Sequence, residues 1–394
     1  MTVFYPVPEF ICATQARFIQ IMNTANSIAK AGHVVKLLCG RQLGQHANDI
    51  FSYYDMHPHP NLDMVFLPVM RRNISWLPFS FGMLFKVTLF FYLLVRAGSG
   101  VIFVRHPKLA AFLLRIKSLV RLPVIFEAHE IFHLTTERPK KQHRLKKTES
   151  YIYANADGVI TISNLLREEL LLLFHLHGKP IVTIPNAVKS ELLNTAAAVA
   201  VGADAVAREG LLYAGGLYPW KGVDVLIKAM AFIPGEVLTI VGGGDRLDEL
   251  KQLAADIGVA GRIVFTGYVE QSQLAGYLSR ARIAIIPNIL HKPSIHSSPL
   301  KMFEFMALGL PIVASNIPGI TDVLTDKVNV LLFEPGNVMQ LATSVRHLID
   351  NPAYAAEIAA KSKALAGDYT YDKRATQIMD FIASIVERGQ PGND

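Results

Sequence analysis

Tyr213-Ala-Gly-Gly-Leu-Tyr-Pro-Trp-Lys-Gly-Val-Asp224 decides how the rest of the chain reads. The apolar run Gly210–Ala214 that leads into it has the pattern of a strand, and Val223–Phe232 behind it has that of a helix. Glycines and one lysine therefore occupy a strand-to-helix turn. Glycine lets the backbone approach a ligand closely, and Lys221 at a helix start can reach a phosphate. The turn is not a P-loop, because the required Gly-Lys-Ser/Thr is absent. Val241-Gly-Gly-Gly-Asp245 repeats strand, glycines and helix, including Gly243, without completing a dinucleotide fingerprint.

On both sides of this turn, short apolar runs alternate with longer helical patterns. The expected strands are Val34–Leu38, Val101–Val104, Pro123–Glu127, Gly158–Ile162 and Ile181–Ile184. A second series comprises Gly210–Ala214, Val237–Val241, Arg262–Thr266, Ile283–Ile286, Pro311–Ala314 and Val330–Phe333. Helices are expected at Gln15–Ala31, Leu165–Phe174, Val223–Phe232, Arg246–Ile257 and Gln271–Arg280. Repeated β-α-β-α implies parallel sheets covered by helices, and continuous rather than alternating apolar strands imply burial on both faces. The expected organisation is a first Rossmann-like domain over 1–189, a linker over 190–209 and a second Rossmann-like domain over 210–370. The helix at 371–388 has no strand after it and is expected to return to the first domain.

The stretch Ser297-Ser-Pro-Leu-Lys-Met-Phe-Glu-Phe-Met-Ala-Leu-Gly309 adds a second candidate site. Ser298 reads as an N-cap with Pro299 at the first helical position. The amides of Leu300 and Lys301 then lack intrahelical partners, and Lys301 adds a cation, so the helix start suits an anion. Glu304, one turn further in, can hold the two hydroxyls of a ribose.

Composition narrows the classes. The 394 residues are 51% hydrophobic and 18% charged, too apolar for disorder. Two cysteines, Cys12 and Cys39, cannot build a disulfide framework and fit a reducing, cytoplasmic compartment. No secretory leader is visible at the apolar start. The net charge of +7 suits nucleic acid, anionic lipid or phosphate-bearing partners. The basic block Arg138–Lys147 has no interleaved aromatics, which argues against single-stranded nucleic acid. Leu77–Val95 is apolar enough to be weighed as a membrane span, but Lys86 near its middle favours a buried or interfacial helix. The pairs His57/His59 and His175/His177 lack further metal ligands in sequence, and no Asp-x-Asp motif occurs.

Taken together, these motifs resemble the retaining GT-B glycosyltransferases of family 4. The resemblance rests on Ala214-Gly-Gly-Leu with Lys221-Gly-Val-Asp, Val241-Gly-Gly-Gly-Asp, Val264-Phe-Thr-Gly-Tyr and Pro299–Ser315 in the second half. In the first half it rests on Ala31-Gly-His, Phe126-Glu-Ala-His-Glu130, Ala156-Asp-Gly-Val-Ile-Thr-Ile-Ser163 and Ile184-Pro-Asn186. It implies two Rossmann-like domains facing a central cleft, with an acceptor in the first and a nucleotide-diphosphate-sugar, UDP- or GDP-linked, in the second. No cofactor or metal is implied. Lys221 would meet the diphosphate, Glu304 the ribose, and the backbone near Tyr268 the base. His129 would face the sugar as the catalytic histidine.

The chain departs from the family pattern at two places. His296 stands where a Glu is usual, and Gly216 stands where an Arg is usual. The implied partners are a glycan or lipid-linked acceptor, with an anionic membrane surface as a further candidate and no nucleic acid. Two other readings stay open: an epimerase acting on the nucleotide-sugar with Glu127 or Glu130 as acid/base groups, and a non-catalytic nucleotide-sugar-binding protein.

Overall fold

The computed structural model describes residues 1–9, 16–40, 50–52, 54, 56–69, 82–96, 98–194, 208–291 and 295–388. Cys12, residues 77–81 of the apolar segment and residues 195–207 of the expected linker lie outside them. The chain divides into two compact units, Met1–Pro185 with Tyr371–Asp394, and Asn186–Thr370. Residues 186–194, read in sequence as domain end and linker, thus group with the second unit. Residues 190–194 are helical.

The first unit carries a parallel sheet of seven strands: β1 Thr2–Val7, β2 Val34–Gly40, β3 Leu62–Leu67, β4 Val101–Val104, β5 Val124–Ala128, β6 Gly158–Thr161 and β7 Ile181–Thr183. Their order is β3-β2-β1-β4-β5-β6-β7. Successive side chains feed opposite cores. Val3, Tyr5 and Val7 pack on one face and Phe4 on the other, as Val35, Leu37 and Cys39 do against Leu38. This two-sided burial is the reason that the strands read as continuous apolar runs.

Two strands escape that reading. β1 contains Pro6, which cannot donate to a ladder. The proline is tolerated because β1 pairs with β4 only at Val3 and Phe4, leaving Pro6 bonded on the β2 side alone. β3 is an edge strand with Asp63 exposed, its carboxylate 2.9 Å from Lys36 Nζ.

The second unit holds six parallel strands: β8 Glu209–Ala214, β9 Leu238–Val241, β10 Ile263–Gly267, β11 Ala281–Ile286, β12 Ile312–Ser315 and β13 Leu331–Phe333. Their order is β10-β9-β8-β11-β12-β13. Leu211, Tyr213, Ile283 and Ile285 face one core, and Leu212, Ala214, Ala284 and Ile286 the other.

In each unit the strand order reverses beside its first strand, between β1 and β4 and between β8 and β11. Crossovers leave to opposite sides there, and the carboxyl ends of the strands open a crevice for ligand.

The last helix, Tyr371–Arg388, packs on the first unit. Ala375, Ile378, Met379, Ile382 and Ile385 are buried in the core that also holds β1 and β2. Phe381 and Ile385 lie so close over Gly158 of β6 that a Cβ there would come within 2.3 Å of Ile385 Cδ1.

Among the described residues no helix is long and apolar enough to cross a membrane. The described part of the apolar segment is a helix, Met83–Arg96. It buries Phe85, Leu89 and Leu93 and exposes Met83, Val87, Phe91, Leu94 and Val95.

Candidate functional site

In the second unit, the turns after β8, β9, β10 and β11 are stitched together at the carboxyl edge. Leu217 N donates to Gly243 O at 3.0 Å, and Gly242 N to Gly267 O at 3.0 Å. These turns meet so closely that a Cβ on Gly242 would lie 1.9 Å from Gly215 O. Gly222, with φ at +63°, brings the Lys221 turn against the segment after β11, where a Cβ would lie 1.9 Å from Pro287 O. No side chain fits at either place, so the glycines are required by backbone packing as well as by any ligand.

Lys221 ends the single 3-10 turn Pro219–Lys221 and precedes the helix Val223–Ala229. Its ammonium has no side-chain partner among the described residues, and burial lowers its pKa to about 8. A desolvated cation without a carboxylate is costly in an empty site and strong toward an anion.

Beside it, the rings of Tyr218, Trp220 and His291 stack. The first two centroids are 4.9 Å apart at 6°, and the second pair is 5.7 Å apart at 18°. Tyr218 also covers Gly216, where a Cβ would lie 2.6 Å from Tyr218 Cε2, and Gly216 O accepts from Tyr213 Oη at 2.8 Å. A tyrosine ring therefore occupies the space that an arginine at this position would leave through. The sequence reading did not find this stack. Aromatics two residues apart in a turn carry no periodic signal.

The helix after β11 runs from Leu300 to Ala307 with Pro299, not Ser298, as its N-cap. Ser298 does not cap it, because Asn186 takes its polar groups. Asn186 N donates to Ser298 Oγ at 3.2 Å, and Asn186 Nδ2 to Ser298 O at 2.6 Å. Among the described residues no side-chain hydrogen bond caps this helix start. Lys301 and Glu304, expected to serve diphosphate and ribose separately, are bound to each other at 2.9 and 2.7 Å. His296 is buried at 2% exposure, while Tyr268, which follows Gly267 at a φ of +69°, is exposed. Gly243 lies against Tyr268, and Leu300 is half-buried at the helix start.

In the first unit, His129 follows β5. Its Nε2 lies 2.9 Å from Glu127 Oε2, while Glu127 Oε1 is bonded to Arg374 Nη2 of the last helix. Arg374 also reaches Thr24 Oγ1 at 3.0 Å and Pro185 O at 2.9 Å. Burial opposes ionisation of Glu127, but His129 and Arg374 hold its carboxyl well below the usual carboxylate range. Burial first, and then Arg105, lower the His129 pKa to about 4. The network assigns a neutral imidazole with its proton on Nε2, which leaves Nδ1 as an acceptor.

The segment after His129 is pinned by Glu149. This carboxylate accepts from the amides of Phe132 and His133 at 2.7 and 3.0 Å and from His133 Nδ1 at 2.7 Å. Neither Arg374 nor Glu149 was found by sequence reasoning, because both act across long sequence separations.

His129 lines a cavity of about 600 Å³ at the carboxyl ends of β1, β4 and β5, together with Glu9, Arg105, His106 and Glu130. Arg105 is fixed by Gln20 Oε1 at 2.6 Å. The helix Pro107–Arg115 starts here, with His106 capping it through Leu109 N at 3.3 Å. Among the described residues, no three or more His, Cys, Asp or Glu side chains group as a metal site, and this includes His57/His59 and His175/His177.

Comparison with known proteins divides along the same lines. Residues 208–351 match the family model for glycosyl transferases group 1, and residues 19–192 that for Glycosyltransferase Family 4. Over 258 residues, 61% of the chain, there is 27% identity to D-inositol 3-phosphate glycosyltransferase of Xylanimonas cellulosilytica, and the match spans 60% of that protein. The chain thus aligns with less than two thirds of that relative's length.

Two solved structures share the fold. Sucrose-phosphate synthase from Thermosynechococcus elongatus superposes with a TM-score of 0.77 at 19% identity, over 98% of this chain and 100% of that one. Anabaena HepE in complex with UDP-glucose gives 0.72 at 17%, with the same coverage.

Proposed function

The chain belongs to the group 1, family 4 glycosyltransferases of GT-B fold, and from that premise we propose that it transfers a sugar from a nucleotide-diphosphate-sugar to an acceptor hydroxyl with retention at the anomeric carbon. The second unit binds the donor and the first unit binds the acceptor. The observation that carries this reading is Lys221, a half-buried ammonium without a carboxylate partner among the described residues, where four turns converge on the carboxyl edge. A relative of the same fold in complex with UDP-glucose supports a nucleotide-sugar as the ligand.

In the transfer, the acceptor oxygen bonds to the anomeric carbon as the bond from that carbon to the diphosphate oxygen breaks. The electron pair leaves with the nucleoside diphosphate, and the hydroxyl proton passes to the departing phosphate oxygen. Lys221 and the uncapped amides at Leu300 and Lys301 stabilise the charge that develops on the diphosphate, and no metal is required. His129, neutral and oriented by Glu127, accepts a hydrogen bond from the sugar through Nδ1.

The epimerase reading needs a free acid/base pair. Glu127 is held by Arg374 and His129 and is not available for proton transfer, which disfavours it.

We further propose that the protein sits on the cytoplasmic face of an anionic membrane. The helix Met83–Arg96 exposes an apolar stripe. The helix Pro139–Asn155 exposes Lys140, Lys141, Arg144, Lys146 and Lys147. Lys86 of the first helix and Lys141 and Arg144 of the second line one cavity, so apolar and basic surfaces adjoin.

The test is incubation with a panel of UDP- and GDP-sugars, with and without EDTA, following release of nucleoside diphosphate and the anomeric configuration of product by NMR. Turnover that EDTA abolishes and Mg²⁺ or Mn²⁺ restores would overturn the metal-free account. An inverted anomer would overturn retention.

A further inference from the structure

The cavity of the first unit is lined by seven basic side chains against three carboxylates. Two of the carboxylates are already engaged. Glu9 pairs with Arg17 at 3.0 Å, and Glu149 is held by His133 and two backbone amides. The third, Glu130, is pushed toward its neutral form by burial and by Glu149.

The cations are not distributed to avoid one another. Lys86, Lys108 and Arg115 line the same cavity, and burial first, then the other two charges, lower the pKa of Lys86. None of them has a carboxylate partner among the described residues. Two of them are held by rings instead: Lys86 Nζ lies 5.7 Å from the centroid of Phe112, and Arg115 Cζ lies 5.2 Å from that of Tyr151. Cation–π contacts orient a charge without neutralising it. His106, at the start of the helix Pro107–Arg115, is kept uncharged by burial, Lys108 and Lys86, so it adds no further repulsion.

Like charges gathered without counter-charge raise the free energy of the folded chain unless a ligand meets them. The cavity is large enough for a small organic ligand and not only an ion.

We infer that this cavity takes an acceptor bearing a phosphate or diphosphate group, held by Lys86, Lys108 and Arg115 with Lys141 and Arg144 of the same lining. The hydroxyl to be glycosylated then lies toward His129. That the ligand is an acceptor rests on the transferase reading. That it is a phosphate ester rests on the cavity alone.

The experiment is calorimetric titration of the full chain with inorganic pyrophosphate. Lys221→Ala removes the anion site of the second unit and isolates the cavity. On that background, Lys86→Met with Arg115→Met is expected to weaken pyrophosphate binding about tenfold or more, since charge-assisted hydrogen bonds are lost. Lys108→Ala, at an exposed position, is expected to weaken it in the same direction and guards against a folding defect.

Competition identifies the source of the phosphate. Displacement by polyprenyl phosphate in phosphatidylcholine vesicles supports a lipid carrier, and displacement by a soluble hexose phosphate supports a free sugar phosphate. Pyrophosphate binding that is absent in Lys221→Ala, or unchanged by all three cavity substitutions, overturns the inference. If cavity binding is found but no nucleotide-sugar is turned over, the transferase reading fails and the anion site stands. If transfer occurs and the cavity variants bind as before, the anion site alone fails.

Discussion

Lys301 and Glu304 close on each other one helical turn apart, with the ammonium 2.9 and 2.7 Å from the two carboxylate oxygens. Both are partly withdrawn from solvent, with side-chain exposures of 23% and 13%. In this state the lysine's charge is spent on the carboxylate, and the first turn offers a ligand its bare amides more than its side chain. In the proposed donor site, a ribose that engaged Glu304 would compete with Lys301 and free it toward the diphosphate, coupling the two halves of a nucleotide through one ion pair.

Glu304→Gln is expected to weaken nucleoside diphosphate binding by about 1–3 kcal/mol, through loss of charge-assisted hydrogen bonds to ribose. Inorganic pyrophosphate should bind at least as well as before, because Lys301 is released. Parallel calorimetric titrations check this. A matching loss for pyrophosphate would place Glu304 in a purely structural role.

Lys221→Met is expected to remove most turnover and yet raise stability at pH 7. The folded lysine has its pKa lowered to about 8, below its unfolded value near 10.5, so the charged form is disfavoured by folding. That penalty is fully present below about pH 8 and is relieved as pH rises toward the unfolded value. Its removal should stabilise by roughly 1–3 kcal/mol. Urea unfolding of both proteins at pH 7 reads the difference. Nucleoside diphosphate affinity of the wild type should fall as pH rises past about 8, while nucleoside affinity should not.

The first unit should lose stability as pH falls from about 6.5 to 4. His129 and His106 both have pKa values lowered to about 4, so the unfolded chain binds more protons across that window. For the more enclosed His129 the loss is on the order of 2–3 kcal/mol. Glu127, held below the carboxylate range, adds a loss at still lower pH. Thermal melts across pH 4–7 check the direction, and His129→Gln should flatten the dependence. The rate itself should show no inflection near 6.5 from His129, because this group stays neutral until the pH approaches about 4.

How far the fold was legible depends on where the determining contacts lie in the chain. Strands buried on both faces announce themselves, and so do glycines forced by close backbone packing, such as Gly222 and Gly242. Local reading missed β1 because Pro6 is harmless only once β4 is known to stop short of it. It missed Arg374 because its partner Glu127 is 247 residues away. It gave Ser298 a capping role that depends on the hydroxyl being free, and Asn186, 112 residues earlier, had taken it. Lys221 could be proposed from the sequence because its setting is local: a lysine in a glycine-rich turn needs no distant residue to be noticed.

Vesicle binding separates the two surfaces of the first unit. Phe91→Ser should reduce binding to phosphatidylserine vesicles at high salt, where apolar insertion dominates. Charge reversal at Lys140 and Lys147 should reduce it at low salt, by about 1 kcal/mol per basic residue lost. Cosedimentation at both salt concentrations checks the pair. Salt-insensitive binding by the wild type would remove the electrostatic component.

Arg374→Ala should destabilise the first unit by about 3–5 kcal/mol, because it leaves Glu127 buried and charged without its partner. Denaturant unfolding reads this. A loss under 1 kcal/mol would mean that His129 alone can satisfy the carboxylate.

That arginine also orders the birth of the molecule. The second unit is a continuous stretch, Asn186–Thr370, whereas the first is completed by Tyr371 and the residues that follow. The second unit can close from one uninterrupted stretch, while the first, made earlier, still waits for its closing helix. Until that helix emerges, Glu127 has no guanidinium, and Ala375, Ile378 and Ile382 have not covered the core beside β1 and β2. The segment synthesised first is the last to mature, and a chain cut before residue 371 would keep the second unit whole and leave the first unsealed.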